Sequence, residues 1–288
     1  MRLTMIPLIA GVTFFCNPPA ANARQEFKEH ISKEFTLQKQ AAATTVAIYN
    51  LNGPVKVEGY AGDKIVIDID KTIKAHDDAN LETGKKELKV EFEQTGDSII
   101  AWLAEPYDAR PHQDRHNYDH YREIEYNFNL SFIVKVPYNV NLLAATIQNG
   151  SVDVKQVAGT LCVSNINGGV TISDAKGTTK ATTINGSIVI NYSSNPPGQS
   201  SYHTINGDIR LNYQPGLSAD MEFKSMHGEF YTDFDATLLP LAPTKNIEKT
   251  GEGTAYKLNK TTTVRFGSGG SLYKLETLNG NVYIKKQS

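Results

Sequence analysis

Three histidines at steps of four, His112, His116 and His120, with Asp119 and Glu123 close by, are the residues of this 288-residue chain whose spacing most suggests chemistry. On a helix that spacing lines one face, and imidazoles assisted by a carboxylate could hold a transition metal. Pro111 and the polarity of Glu105 to Tyr121 instead read as an exposed loop, and no glutamate sits between the histidines as in a metal-dependent hydrolase. The three histidines are therefore metal candidates only, and no metal or other cofactor is expected.

Acid and base groups are the second possibility. Asp153, Asp208, Arg210, Glu222 and Glu229 fall at outward strand positions, where carbohydrate-active proteins place groups that donate and abstract protons. They sit on different faces or separate turns of the chain and read as solvated charges, so no catalytic residue is assigned and an enzyme is not expected. Tyr192 and Tyr213 follow asparagines at equivalent positions of adjacent turns, and could stack as a sugar-binding platform or as a ladder that merely covers the coil. A calcium ladder would need Gly-Gly-x-Gly-x-Asp in each turn, whereas Gly168-Gly169 is followed by Val170-Thr171-Ile172.

What must position all of these is a nine-residue repeat. Ser151 to Gly159, Thr160 to Gly168, Gly169 to Gly177 and Thr178 to Gly186 are consecutive blocks with glycine last. Position 2 holds Val152, Leu161, Val170 and Thr179, and position 4 holds Val154, Val163, Ile172 and Ala181. Side chains alternate along a strand, so positions 2 and 4 face inward and position 3, including Cys162, faces out. Position 7 (Val157, Ile166, Ala175, Ile184) should return inward after a bend, and the glycine should supply turning freedom, often through positive φ.

The period doubles to 18 because alternate corners read Asn-Gly. Asn149-Gly150, Asn167-Gly168, Asn185-Gly186 and Asn206-Gly207 are such corners, with Asn52-Gly53 and Asn279-Gly280 near the two ends. Two turns lengthen to 21 residues, Gly186 to Gly207 and Gly207 to Gly228, the second ending on His227-Gly228, where an asparagine ladder should break. Strands stacked in register, roughly 4.8 Å apart, make a parallel β-solenoid with aliphatic columns inside and corner asparagines hydrogen-bonded along the axis. The competing fold is an antiparallel sandwich of Asn-Gly hairpins. A constant nine-residue step favours the solenoid.

Residues 1–23 read as an export signal: Arg2, an apolar stretch from Leu3 to Phe15, and Ala21-Asn22-Ala23 as the cleavage site. Thr13-Phe14-Phe15 before Cys16 is a poor match to a lipoprotein signal. No later stretch is long enough for a transmembrane segment. Loss of Arg2 with the signal leaves 28 basic against 31 acidic residues, which argues against nucleic acid as a partner. Only Cys162 then remains, so no disulfide can form within the chain.

Residues 24–140 read as a less regular β portion that caps one end of the solenoid of 141–288, the two making one continuous domain. Arg24 to Gln40 is a polar lead in which Phe27, Ile31 and Phe35 make a weak helical stripe. Strands are expected at Thr45 to Tyr49, Val55 to Val57, Ile65 to Ile69, Leu88 to Phe92, Ser98 to Leu103 and Ile124 to Val136. Glu105 to Tyr121 and Asp235 to Gly253 read as surface loops.

The export signal, the segment Gln25 to Phe35, the segment Val134-Lys135-Val136-Pro137-Tyr138-Asn139-Val140-Asn141-Leu142, the Asn-Gly corners and the ending Leu278-Asn279-Gly280-Asn281-Val282-Tyr283-Ile284 together resemble one family. It is the bacterial putative-adhesin family of exported β-strand-repeat proteins, related to the head GIN domain. The resemblance implies a right-handed single-stranded parallel β-helix at the cell envelope, with no catalytic residues to carry over. The resulting expectation is a non-enzymatic adhesive or structural surface in the periplasm or on the cell surface, with an envelope protein or glycan as partner. The alternative is a polysaccharide-binding or polysaccharide-processing β-helix.

Overall fold

Alternation of buried and exposed side chains runs through nearly every strand of the computed structural model, which describes residues 25–111, 123–240, 246–250, 253–257 and 261–287. The export-signal segment and His112, His116 and His120 lie outside the described residues. The first portion contains β1 (Gln25–Thr36), β2 (Thr45–Tyr49), β3 (Val55–Tyr60), β4 (Lys64–Ala75), helix α1 (Asp78–Glu87), β5 (Lys89–Thr95), β6 (Ser98–Glu105) and β7 (Tyr126–Pro137). Eight short strands follow: β8 (Asn141–Ala145), β9 (Val152–Lys155), β10 (Leu161–Ser164), β11 (Val170–Ala175), β12 (Thr179–Thr182), β13 (Ile188–Tyr192), β14 (Ser200–His203) and β15 (Ile209–Tyr213). The chain ends with β16 (Ala219–His227), β17 (Phe230–Thr232), β18 (Ala236–Leu238), β19 (Asn246–Thr250), β20 (Gly253–Lys257), β21 (Thr261–Phe266), β22 (Leu272–Asn279) and β23 (Val282–Lys286).

These strands make an all-β protein with two large mixed sheets. One has ten strands in the order β1-β4-β7-β3-β9-β11-β13-β15-β23-β17. The other has eleven, β18-β21-β16-β22-β14-β12-β10-β8-β2-β6-β5, and β19 with β20 forms a separate hairpin. From β8 to β15 consecutive strands alternate between the sheets, and each pairs in parallel with the strand one turn away. Val152, Val170, Ile188, Ile209 and Val282 are thus register partners, as are Leu142, Leu161 and Thr179. All eight are at most 2% exposed and belong to the core or line it. β9 and β10 lie in different sheets, which rules out the hairpin sandwich for this stretch.

Position 7 of the repeat behaves differently at the two kinds of corner. Val157 and Ala175 are buried, but Ile166 is half-buried and Ile184 exposed, contrary to the expected inward placement. At the Asn-Gly corners the residue before them turns inward instead, and it is polar. Thr146 Oγ1 donates to Gly53 O (2.7 Å), Asn165 Nδ2 to Gly150 O (2.9 Å), Thr183 Oγ1 to Gly168 O (2.8 Å), Thr204 Oγ1 to Gly186 O (2.9 Å) and Thr277 Oγ1 to Gly207 O (3.1 Å). Each buried hydroxyl or amide satisfies a carbonyl of the neighbouring turn, which outweighs burying one more aliphatic group.

The corner asparagines are linked along the same edge. Asn185 Nδ2 donates to Asn167 Oδ1, Asn206 Nδ2 to Asn185 Oδ1 and Asn279 Nδ2 to Asn206 Oδ1, each at 2.8 Å. At the first turn Gln148 takes the bridging position opposite Asn52, and Asn149, at φ 54°, donates to the Asn52 side chain (2.9 Å). Positive φ is not what Gly168, Gly186, Gly207 and Gly280 provide. A Cβ at Gly186 would sit 2.2 Å from Gly168 O, and one at Gly280 1.9 Å from Gly207 O, so these corners need glycine for close approach.

The largest departure from sequence order is at the C-terminus. The turn after Asn206-Gly207 is not the one ending at Gly228 but the last of the chain: β15 pairs with β23 and β14 with β22, and β16 and β17 stack beyond them. Residues 272–286 are intercalated because Thr277-Leu278-Asn279-Gly280 continues both ladders. Ser225-Met226-His227-Gly228 does not, and the buried Ser225 Oγ finds no partner among the described residues.

Three local expectations also change. Within the polar lead from Arg24 to Gln40, Gln25–Thr36 is strand β1, paired antiparallel with β4 over twelve residues. Spacing by four puts Phe27, Ile31 and Phe35 on one face of a strand as well as of a helix, and they pack on the core from there. The segment Asp235 to Gly253 contributes β18, β19 and the start of β20 rather than loop alone. Helix α1, absent from the sequence reading, is capped by Asp77, whose carboxylate accepts from Asn80 N (2.8 Å), and packs over β1 and β4.

Candidate functional site

Parallel register on the ten-stranded sheet turns single outward residues into rows across the molecule. One row runs Ile133, Lys56, Asp153, Thr171, Val189, Arg210, Tyr283, Tyr231, each the register partner of the next. Its two ends carry features suited to binding.

At the β17 end, the Arg210 guanidinium lies over the Tyr283 ring, 4.2 Å from its centroid, and Tyr231 stacks on Tyr283 at 5.1 Å and 9°. Arg210 Nη2 is held by Asp208 Oδ2 (2.6 Å), and Asp208 Oδ1 accepts from Asn281 N (2.9 Å). Asn281 Nδ2 donates to the Tyr283 hydroxyl (3.2 Å), and its Oδ1 accepts from Glu229 N (2.9 Å). The Tyr231 hydroxyl donates to Glu229, whose carboxylate pushes the phenol pKa up. β17 is the edge of the sheet, and Tyr231 is 44% exposed. The outcome is a fixed cation-aromatic stack, rimmed by carboxylate and amide groups.

At the other end a groove of 460 Å³ crosses β7, β3, β9 and β11 and is lined by Lys56, Glu58, Ile133, Lys135, Asp153, Lys155, Thr171 and Ser173 among others. Asp153 Oδ2 accepts from Ser151 Oγ (2.6 Å).

Of the five outward acid and base candidates, Asp208 and Arg210 share one turn and Glu229 lies beside β17, two strands along the sheet, so they sit on separate turns as expected, with Asn281 bonded to both Asp208 and Glu229 between them. Asp153 shares the face but lies in the groove, and Glu222 is on β16 in the other sheet. Among the described residues the carboxylates whose titration is displaced, Glu82, Asp97, Asp220 and Glu276, are held low by bonds from Lys85, Lys39, Arg265 and Lys224. A general acid needs the opposite shift. Among the described residues no three His, Cys, Asp or Glu side chains gather as a metal site, and no helix is long and apolar enough to cross a membrane.

Tyr192 and Tyr213 are neither a platform nor a cover. Both are fully buried between the sheets, stacked at 4.9 Å and 3°, with Tyr273 next in the stack at 5.9 Å. The Tyr202 hydroxyl bonds to those of Tyr192 (2.7 Å) and Tyr213 (3.1 Å). Position-two alternation on β13 and β15 already pointed these rings inward, in line with Ile188, Ile190, Ile209 and Leu211. Cys162 is half-exposed between the buried Leu161 and Val163. The Tyr283 and Tyr231 stack escaped the sequence reading because intercalation of β23 is what makes them neighbours.

No protein-family model matches the chain, and no curated protein matches it. Among solved structures it is similar to a putative cell adhesion protein from Clostridium sporogenes at 8% identity, covering 91% of this chain and all of that one, with a TM-score of 0.42. A putative adhesin from Bacteroides fragilis aligns at 10% identity over 90% of this chain and 97% of that one (TM-score 0.35). A putative lipid binding protein from Parabacteroides distasonis aligns at 8% identity over 90% and 97% (TM-score 0.29).

Proposed function

We propose that the chain is an exported, non-enzymatic protein of the cell envelope that binds saccharide as an adhesin does. In this reading residues 141–287 form a right-handed parallel β-solenoid and residues 24–140 cap one end. Parallel pairing at steps of 18 and 21 residues supports the solenoid. The observation that carries the binding role is the Arg210, Tyr283 and Tyr231 stack. An aromatic face packs against the C–H face of a sugar ring, while Asp208, Asn281 and Glu229 offer groups that bond its hydroxyls. Strand register holds these side chains in place before a ligand arrives, so little further ordering is needed on binding.

A glycan array probed with the chain starting at Arg24 tests this. Tyr231→Ala, which removes the ring at the sheet edge, should weaken retention of the bound glycans by about tenfold, the loss of one stacking contact of about 1 kcal/mol plus its area, and Tyr283→Ala, which removes the ring that Tyr231 stacks on, should weaken it to a smaller degree. Tyr231→Phe, which keeps the ring, should lose far less. Parent-like binding by both alanine variants, or no glycan retained by the parent, contradicts the reading. A polysaccharide-processing enzyme is the second reading, favoured only by the grouping of Asp208 and Glu229 on either side of Asn281. Release of new reducing ends from a bound polysaccharide would select it.

A further inference from the structure

We propose that the groove across β7, β3, β9 and β11 binds an acidic saccharide, a polymer that carries carboxylates among its hydroxyls. The proposal rests on the glycan-binding reading and adds the charge of the ligand. Three ammonium groups surround the groove. Lys135 and Lys155 are the register partners of Glu58 on its two sides, about 9 to 10 Å apart between their backbones, and Lys56 lies between Ile133 and Asp153 in the next outward row. All three lysines are exposed, and none has an ion-pair partner among the described residues. Lys39, Lys64, Lys74, Lys85, Lys89 and Lys224 are each paired with a carboxylate, while Lys33, Lys86, Lys176, Lys180, Lys274 and Lys285 also have no ion pair among the described residues, so what sets the three apart is that they gather at one groove.

The other groups in the groove decide which anion fits. Glu58 lies between Lys135 and Lys155, and Asp153 is the register partner of Lys56. A phosphodiester backbone such as that of DNA carries no hydroxyl donors, so it would set only anionic and acceptor oxygens against both carboxylates. A uronate-type polymer instead sets its carboxylates against the lysines and offers hydroxyl donors to Glu58 and Asp153. Thr171 and Ser173 add hydroxyls at the β11 side, and Ile133, 42% exposed, gives a C–H face something to pack on. The groove and the tyrosine stack lie on one row of one face, so a single extended polymer can reach both.

The test uses the chain from Arg24 with polygalacturonate, dextran and double-stranded DNA as probes in affinity electrophoresis. The expected result is binding of polygalacturonate at least about tenfold tighter than dextran, falling steeply with salt. The variant Lys56→Gln, Lys135→Gln, Lys155→Gln should erase that preference while leaving the melting temperature unchanged. Equal affinity for the two polysaccharides, or an undiminished preference in the triple variant, overturns the acidic ligand but leaves saccharide binding standing. DNA bound more tightly than polygalacturonate also overturns it, in favour of a nucleic acid. Failure of the parent to retain either polysaccharide removes both readings.

Discussion

Tyr192, Tyr202 and Tyr213 show how single residues set the conditions under which the fold survives. Burial, with the neighbouring phenols, raises all three well above the ordinary tyrosine range, and burial pushes Tyr273 up to about 12. An unfolded tyrosine ionises near pH 10. Below that pH both states carry the proton and these groups add no pH dependence. Above it the unfolded chain releases protons that the folded one keeps, so stability falls as pH rises from about 10 toward 12. Alkaline titration should therefore show the tyrosinate absorbance of the buried phenols appearing together with loss of circular dichroism. Full ionisation of the tyrosines near pH 10 with the sheets intact would contradict the burial of this cluster.

Among the elements, the short strand with its corner is the unit that stacks, and glycine at the corner permits the stacking distance. Gly186→Ala places a methyl group 2.2 Å from Gly168 O, a backbone atom that cannot move without its strand. Gly169→Ala meets only Ser187 O, at 3.3 Å. Denaturant unfolding should show a loss of roughly 3 kcal/mol or more for the first and within about 1 kcal/mol for the second. Similar losses would mean that the turns are not so closely stacked. The inward faces of these strands are legible in the sequence because alternation has a period of two and Val152, Val170 and Ile188 repeat at a fixed step. The corner polarity is not, since an inward threonine beside an outward isoleucine reverses the hydrophobic rule and is explained only by a carbonyl one turn away. The β1 strand was ambiguous for a different reason: Phe27, Ile31 and Phe35 satisfy both periods.

At the scale of the whole molecule, sequence order and spatial order part company where residues 272–286 enter between β14 and β16 and between β15 and β17. Pattern within a segment says which way its side chains point but not which segment will lie beside it. That neighbour is chosen by the ladders, and Asn279 and Thr277 match Asn206 and Thr204 where His227 and Ser225 do not. With Cys162→Ser as background, the pair Asn212→Cys and Lys285→Cys, register partners on β15 and β23, should close a disulfide on mild oxidation. Failure to cross-link while the variant stays folded would put the C-terminal strands elsewhere. The same intercalation builds the candidate site, because Tyr283 meets Arg210 on one side and Tyr231 on the other only in this order.

A nuclear magnetic resonance titration of the isotope-labelled chain with polygalacturonate oligomers tests the central claim, that the outward face of the ten-stranded sheet is the ligand surface. Shift changes should concentrate on Lys56, Lys135, Lys155, Arg210, Tyr231 and Tyr283 and leave the outward residues of the eleven-stranded sheet, such as Lys180 and Lys274, unmoved. Changes confined to the eleven-stranded sheet, or none at saturating oligomer, would contradict it.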